Sequence, residues 1–295
     1  MDIDQIINGK KKVRKICFTL DLEEDFAGRL VGERQALSKK NFFSLKKFLD
    51  EENILLSIFV QGKLLSDFDF DFLNDFKSDK IEFHLHSYSH NFKFIDSEND
   101  LNQGIHFFKN FFGYHPKGYR APEGRISLDL LNLLKKKGFL FDSSLFPTFF
   151  PKPKYYFRSQ YYKRNIYLTE IPISGLFFNI IPFSLSWMKV VGEKLFLLFF
   201  YFKFRYSSSE VLIFTFHLHD LWEITSLKKL PFFWRIIFSR NKSNGFNFLR
   251  KLIKIAKKEQ LSFELISNLI CTTESMDCTP IALLKYSGKR GSQLF

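Results

Sequence analysis

His86 and His90 stand four residues apart in the stretch IEFHLHSYSH, just past an apolar run, and an acid-rich turn, Asp21-Leu22-Glu23-Glu24-Asp25, closes an earlier strand-like run, ICFTL. Two neutral imidazoles and one carboxylate, each at the end of a strand, can hold a divalent metal and leave positions open for water and substrate. Three further polar clusters follow: Arg120 in GYRAP, Asp142 in FDSS, and His217 to Asp220 after VLIFTF. Each has a plain structural explanation when taken alone. Histidines spaced by four commonly share a helix surface, Arg120 could satisfy a buried carboxylate, Asp142 could cap a helix, and His217 and His219 could be neighbours on one strand face. Their joint arrangement carries the functional reading, because function collects at the carboxyl ends of strands in parallel α/β folds and all five clusters fall there.

The elements that must position these residues read as an alternation. Strand-like runs are ICFTL (16–20), ILLSIFV (54–60), KIEFHLH (80–86), GYR (118–120), FLF (139–141), IYLTEIPI (166–173), VLIFTFHLH (211–219) and a last one around SFEL. Helix-like stretches lie at 44–53, 62–77, 97–111 with Asp96 or Ser97 as N-cap, 128–138 with Ser127 as N-cap and Gly138 as stop, and 246–259. Strands alternating with helices predict a parallel sheet with crossover helices, either a barrel or a doubly wound sheet. With no internal repeat and no long linker, the chain reads as an N-terminal extension (1–14), one catalytic domain (15–270) and a polar tail (271–295).

Composition narrows the class of partner. The net charge is +13, from 44 basic and 31 acidic residues, which favours anionic partners. Nucleic acid ranks last among them, because the basic residues are scattered and no reading module accompanies them. Lys10, Lys11, Lys12, Arg14 and Lys15 read as a solvated approach to the first strand. Phenylalanine is overused at 40 of 295 residues, which fits biased base composition or, alternatively, an apolar surface for lipid or an acylated substrate. The apolar segment 176–205 is interrupted by Asn179, Ser184, Ser186, Lys189, Glu193 and Lys194. Its longest unbroken piece, LFLLFFYF, is well short of the ~20 residues that cross a bilayer, so a buried or interfacial helix is expected. Cys17, Cys271 and Cys278 show no paired metal spacing, and their odd number points to a reducing compartment. The opening MDIDQIINGK is unlike a secretory leader, and a cytoplasmic location is expected.

In order along the chain, TLDLEEDF (19–26), HSYSH (86–90), GYRAP (118–122), FDSSLFP (141–147) and FTFHLHD (214–220) resemble the motifs of the polysaccharide deacetylases, the chitooligosaccharide-deacetylase homology group of carbohydrate esterases. The branch it most resembles has an Asp-x-Glu first motif, and the resemblance covers roughly residues 15–225. It implies an α/β, single-domain, distorted (β/α)7-type barrel of parallel strands and a divalent metal, zinc first, with iron, cobalt or nickel as alternatives. By the same resemblance Asp21 is the general base. His86 and His90 are metal ligands, joined by a carboxylate of the acidic turn: Glu23 first, with Glu24 and Asp25 as alternatives. Arg120 orients the base, and His217 protonates the leaving amine, with His219 competing for that role.

Departures from the family pattern are the doubled glutamate, Glu123 and Gly124 after Arg-Ala-Pro, and the second histidine of HLHD. The reaction implied is removal of an N-acyl group, acetyl above all, from an amino sugar of a polysaccharide or glycan precursor; the basic charge and the Phe-rich segment 176–204 add the expectation of a lipid-linked precursor and peripheral contact at the inner face of a membrane. A deformylase or amidase acting on another small C–N bond, and a catalytically inactive glycan-binding relative, are the alternatives.

Overall fold

The computed structural model describes residues 14–270 apart from 27–28, 31, 92, 95, 146, 148–167, 178–179, 207–210 and 240–244. The extension before Arg14 with its lysine cluster, the tail from 271 with Cys271 and Cys278, Asn179, Phe146 of the fourth motif, and the start of IYLTEIPI lie outside the described residues.

Strand β1 (Lys15–Leu22) is the axis of an eight-stranded, all-parallel sheet. β9 (Val211–His217) pairs with one edge of β1, and β2 (Leu56–Val60) with the other. The short β10 (Ser262–Phe263) joins β1 at Lys15 and Ile16, before its β2 register begins at Phe18. From β2 the sheet continues through β3 (Ile81–Leu85), β4 (Gly118–Tyr119), β5 (Phe141–Asp142) and β6 (Thr169–Glu170).

Between β6 and β9 the curved sheet is bridged by irregular chain rather than a ladder. Ser174 N–H donates to the Ile213 carbonyl (3.1 Å) and Thr215 N–H to the Phe183 carbonyl (3.1 Å). A small antiparallel pair, β7 (Gly175–Leu176) and β8 (Ile181–Pro182), sits in this stretch. The expected distorted (β/α)7-type barrel of parallel strands is therefore what the chain forms.

Strand periodicity sorts β1 into two faces. Ile16, Phe18, Leu20 and Leu22 join the large core between sheet and helices, while Cys17 joins a smaller cluster with Phe59, Phe141, Ile171, Ile213 and Ile266 inside the barrel. Thr19, Asp21 and Glu23 continue the inward face, so after Lys15 β1 reads as a near-continuous apolar run with its acidic groups at the carboxyl end. Register then sets Asp21 beside Phe59 of β2 and His217 of β9.

Helices α1 (Lys39–Glu52), α2 (Glu98–Phe112) and α3 (Leu128–Lys136) cover the outer face. Ser38, Ser97 and Ser127 cap them by accepting backbone N–H bonds; Ser127 is the expected cap, and Ser97 is one of two candidates with Asp96. The stretch 62–77 is a correction: it forms 3-10 turns, Gly62–Ser66 and Phe68–Phe76, not a helix of 3.6 period. Phe70, Leu73 and Phe76 are buried at intervals of three, the spacing that eclipses on a 3-10 helix.

The apolar segment splits at Gly192 (φ +97°) into α4 (Leu185–Val191) and α5 (Glu193–Tyr206). Phe196 and Phe200 are fully buried, whereas Leu195, Leu198, Tyr201 and Phe202 are 45 to 49% exposed. Among the described residues no helix is long and apolar enough to cross a membrane. Helices α6 (Phe232–Ser239) and α7 (Gly245–Lys258) complete the chain before β10.

Candidate active site

His86 follows directly on β3, and the four residues after it bend the chain back upon the strand. Ser87 and His90 both adopt left-handed backbone (φ +52° and +57°), a conformation non-glycine residues hold only when their surroundings impose it. Asp100, in the first turn of α2, does so by accepting the N–H groups of Tyr88 and Ser89 (both 3.0 Å), and Ser87 Oγ accepts the His90 N–H (3.1 Å). The two rings end 5.3 Å apart between centroids. The pair is thus not a helical surface pair. His84, two residues earlier on the same inward face, lies deeper in the barrel and pairs with Glu82 (3.1 Å).

The acidic turn divides its carboxylates between separate tasks. Glu23 Oε2 lies 3.2 Å from His86 Nε2 and in close contact with His90 Nε2. Glu24 instead accepts from the Gly32 N–H and Arg34, and Asp25 from the N–H groups of Gln35 and Ala36 and the Ser226 hydroxyl. Those bonds fix the loop that follows β1. Burial opposes ionisation of Glu23, but the charge of His90 and hydrogen bonds from His86 and His90 outweigh it and hold the carboxyl well below the usual range. His90, also buried, is raised in turn because Glu23 outweighs its burial.

Arg120, 2% exposed, is the clamp at the centre. Its Nη1 donates to Asp21 Oδ1 (2.6 Å), Thr19 Oγ1 (3.0 Å) and Thr215 Oγ1 (3.2 Å). Its Nε and Nη2 donate to the carbonyl and hydroxyl of Ser143 (3.0 and 2.9 Å). The guanidinium also lies 4.0 Å from the Phe59 ring centroid, so every face of it is engaged. Asp142 caps no helix; it holds Ser144, whose hydroxyl donates to it (2.6 Å) and accepts the Ala121 N–H (2.7 Å), pinning the chain beside Arg120.

β9 stops at His217, and Leu218–Asp220 form a 3-10 turn, so His219 is not a strand residue. His217 Nε2 lies 3.4 Å from Glu23 Oε1 and 3.9 Å from Asp21 Oδ2, while its Nδ1 faces Asp220 (3.3 Å). Burial works against the His217 cation, but the Asp220 hydrogen bond and the charges of Glu23, Asp220 and Asp21 raise its pKa to about 9.

The His219 ring stacks on that of His217, 4.9 Å between centroids, meets Phe26 at a tilt and meets Phe238 edge-on. Its Nδ1 accepts the Phe26 N–H (3.2 Å) and its buried Nε2 has no hydrogen-bond partner among the described residues. Burial pushes its pKa down to about 4. The two histidines therefore differ in kind: one faces the carboxylates, the other is a neutral ring packed behind it.

Asp21, Glu23, His86, Arg120, His217 and His219 line one cavity of about 400 Å³. Its rim carries Trp187, Trp234, Phe238 and an ion pair of Arg29 with Glu123, the residue after Arg-Ala-Pro. Ligand atoms of Glu23, His86 and His90 all lie within 4.8 Å of one another and all three residues are buried, so the donor set fits a divalent cation. His217, His219 and Asp220 form a second such group. There the Asp220 carboxylate is already taken by the His217 N–H and the Ser186 hydroxyl. Asp220 and Asp100 are the site residues to which the sequence assigned no role. Asp220 carries a legible signal, an acid three residues after a histidine at a strand end. Asp100 carries none, since only the fold brings α2 to the histidine loop.

Residues 32–141, which include His86, His90 and Arg120, match the family model described as polysaccharide deacetylase, a narrower span than the five motifs. No curated protein matches the sequence. Among solved structures, one of a polysaccharide deacetylase from Mycobacterium smegmatis is similar at 16% identity and a TM-score of 0.51, over 88% of this chain and 89% of that one. A CE4 esterase of Streptococcus mutans is similar at 11% identity and a TM-score of 0.51, over 90% and 91%. At such identities the structures share the fold. Residues 32–141 therefore resemble a polysaccharide deacetylase domain, and the chain shares the fold of these solved structures.

Proposed function

We propose that this protein is a metal-dependent hydrolase that removes an N-acyl group, acetyl above all, from an amino sugar of a glycan or glycan precursor. The observation that carries the reading is the convergence of Glu23, His86 and His90, the first two on the wall of a cavity that Asp21 and His217 also line. Glu23, His86 and His90 would hold the cation, zinc first among the candidates. The chemistry a cation supplies there is Lewis acidity, which brings the pKa of water from about 15.7 toward about 7 and polarises an acyl carbonyl.

The remaining steps fall to this chain's own side chains. Asp21, fixed at Oδ1 by Arg120, keeps Oδ2 toward the cavity as the base that takes a proton from water. His217, backed at Nδ1 by Asp220, presents Nε2 to the same space and gives a proton to the departing amine, which cannot leave as an anion. His219 supports the His217 ring without reaching the reacting atoms.

Acetate release from N-acetylglucosamine oligomers by metal-loaded protein tests this reading, with formylated sugars and cyclic ureides as the comparison. Turnover of the latter alone would favour the amidase reading. Failure of the protein to retain any stoichiometric metal would leave only a glycan-binding role.

A further inference from the structure

Helix α6 is apolar on both sides. Trp234 and Phe238, one turn apart, line the active-site cavity, while Phe232, Phe233 and Ile236 on the opposite side are 69, 65 and 47% exposed. One short element therefore forms a wall of the site with one face and an open aromatic surface with the other. Such surfaces mark contact with a partner or a lipid interface.

Charge points to which. From Ile224 to Lys258 the sequence has ten Lys or Arg and no Asp or Glu. On α7 several of these pair with Glu51, Glu52 and Glu193 across the surface. Lys228 is exposed four residues before Phe232, and Arg235 is exposed with its guanidinium 5.7 Å from the Phe232 ring centroid. Aromatic side chains flanked by cations are the pattern of a helix lying in an anionic bilayer surface. A second copy of the chain fits poorly. Three side chains expose roughly 300 Å², well under the ~800 Å² per partner of a stable dimer. A lipid surface, by contrast, needs no matching shape.

We infer that α6 seats this protein on an anionic phospholipid membrane with the cavity mouth at that surface, so that the amino sugar it receives is lipid-linked. The docking stands on α6 alone; the identity of the substrate rests on the deacetylase reading above.

Flotation with vesicles of phosphatidylcholine containing 30% phosphatidylglycerol, against phosphatidylcholine alone, tests it. Wild-type protein binds the anionic vesicles, and the partition coefficient drops in high salt. Phe232→Ser with Phe233→Ser lowers the coefficient on the order of 100-fold, about tenfold for each half-buried ring. Lys228→Glu with Arg235→Glu lowers binding to anionic vesicles only. Turnover of soluble N-acetylated oligomers stays at the wild-type level in both variants, which separates loss of docking from loss of the site. Absent vesicle binding by wild-type protein overturns the inference. So does undiminished binding of both variants, its loss instead in Leu198→Ser on α5, or a dimer that the phenylalanine variant dissolves. If wild-type protein floats yet releases no acetate, docking stands and the deacetylase reading falls.

Discussion

Asp21 and His217 sit on neighbouring strands at the same register, 3.9 Å apart, and the proposed reaction gives them opposite proton traffic. Arg120 holds one oxygen of Asp21, and Asp220 sits behind the imidazole of His217. Asp21→Asn keeps the Arg120 hydrogen bond but cannot accept a proton. It should retain metal by elemental analysis while kcat falls roughly 10³-fold, and near-normal turnover would remove the base role. His217→Ala should cost roughly 10²- to 10⁴-fold in kcat, and His219→Phe far less, because only the first ring faces the carboxylates.

His219 adds a pH dependence of stability. Its folded pKa of about 4 is depressed below the ordinary 6.5, so its contribution is complete above pH 6.5 and disappears as pH falls toward 4. The amount at stake is on the order of 3 kcal/mol. Urea midpoints measured between pH 4 and 7 should fall more steeply for the wild type than for His219→Phe, which keeps the ring contacts with Phe26 and Phe238 but does not titrate.

At the scale of elements, the site depends on parts that never touch the cavity. Asp100 tethers the loop that folds His90 back beside His86, so Asp100→Ala should weaken metal retention by about 10- to 100-fold, as loss of an orienting group does. Competition with a chromogenic chelator would measure it, and unchanged affinity would show that Ser87 and the strand end suffice. Gly245, where α7 begins, packs against the turn that carries Asp220. A Cβ there would stand 2.3 Å from the Asp220 carbonyl oxygen. Gly245→Ala should therefore displace the turn and lower kcat while leaving metal content unchanged.

For the molecule as a whole, a cation bound only by the folded state adds stability by mass action, about 2.7 kcal/mol at a hundred times its Kd. Chelation should then lower Tm by several degrees. His86→Ala, which lacks one of the clustered nitrogens, should show no chelator effect, and an equal shift in that variant would place the cation elsewhere. The barrel around the site tolerates an irregular join between β6 and β9 because segment 171–184 supplies backbone bonds to β9 in place of a ladder.

The sequence by itself determined the parallel α/β class, the capping serine at 127, a cap at 96 or 97, and the set of chemically capable residues, because apolar periodicity and residue type are local properties. It could not choose among Glu23, Glu24 and Asp25, which crowd one turn, nor between His217 and His219. Only tertiary structure separated them, through distant partners: Gly32, Arg34 and Ser226 draw Glu24 and Asp25 away, and Phe26 and Phe238 close over His219. The 62–77 stretch was misread because its burial interval of three differs too little from a helical one. Which side chain meets the cavity is a property of chain segments up to about 200 residues apart, and local pattern holds no record of it.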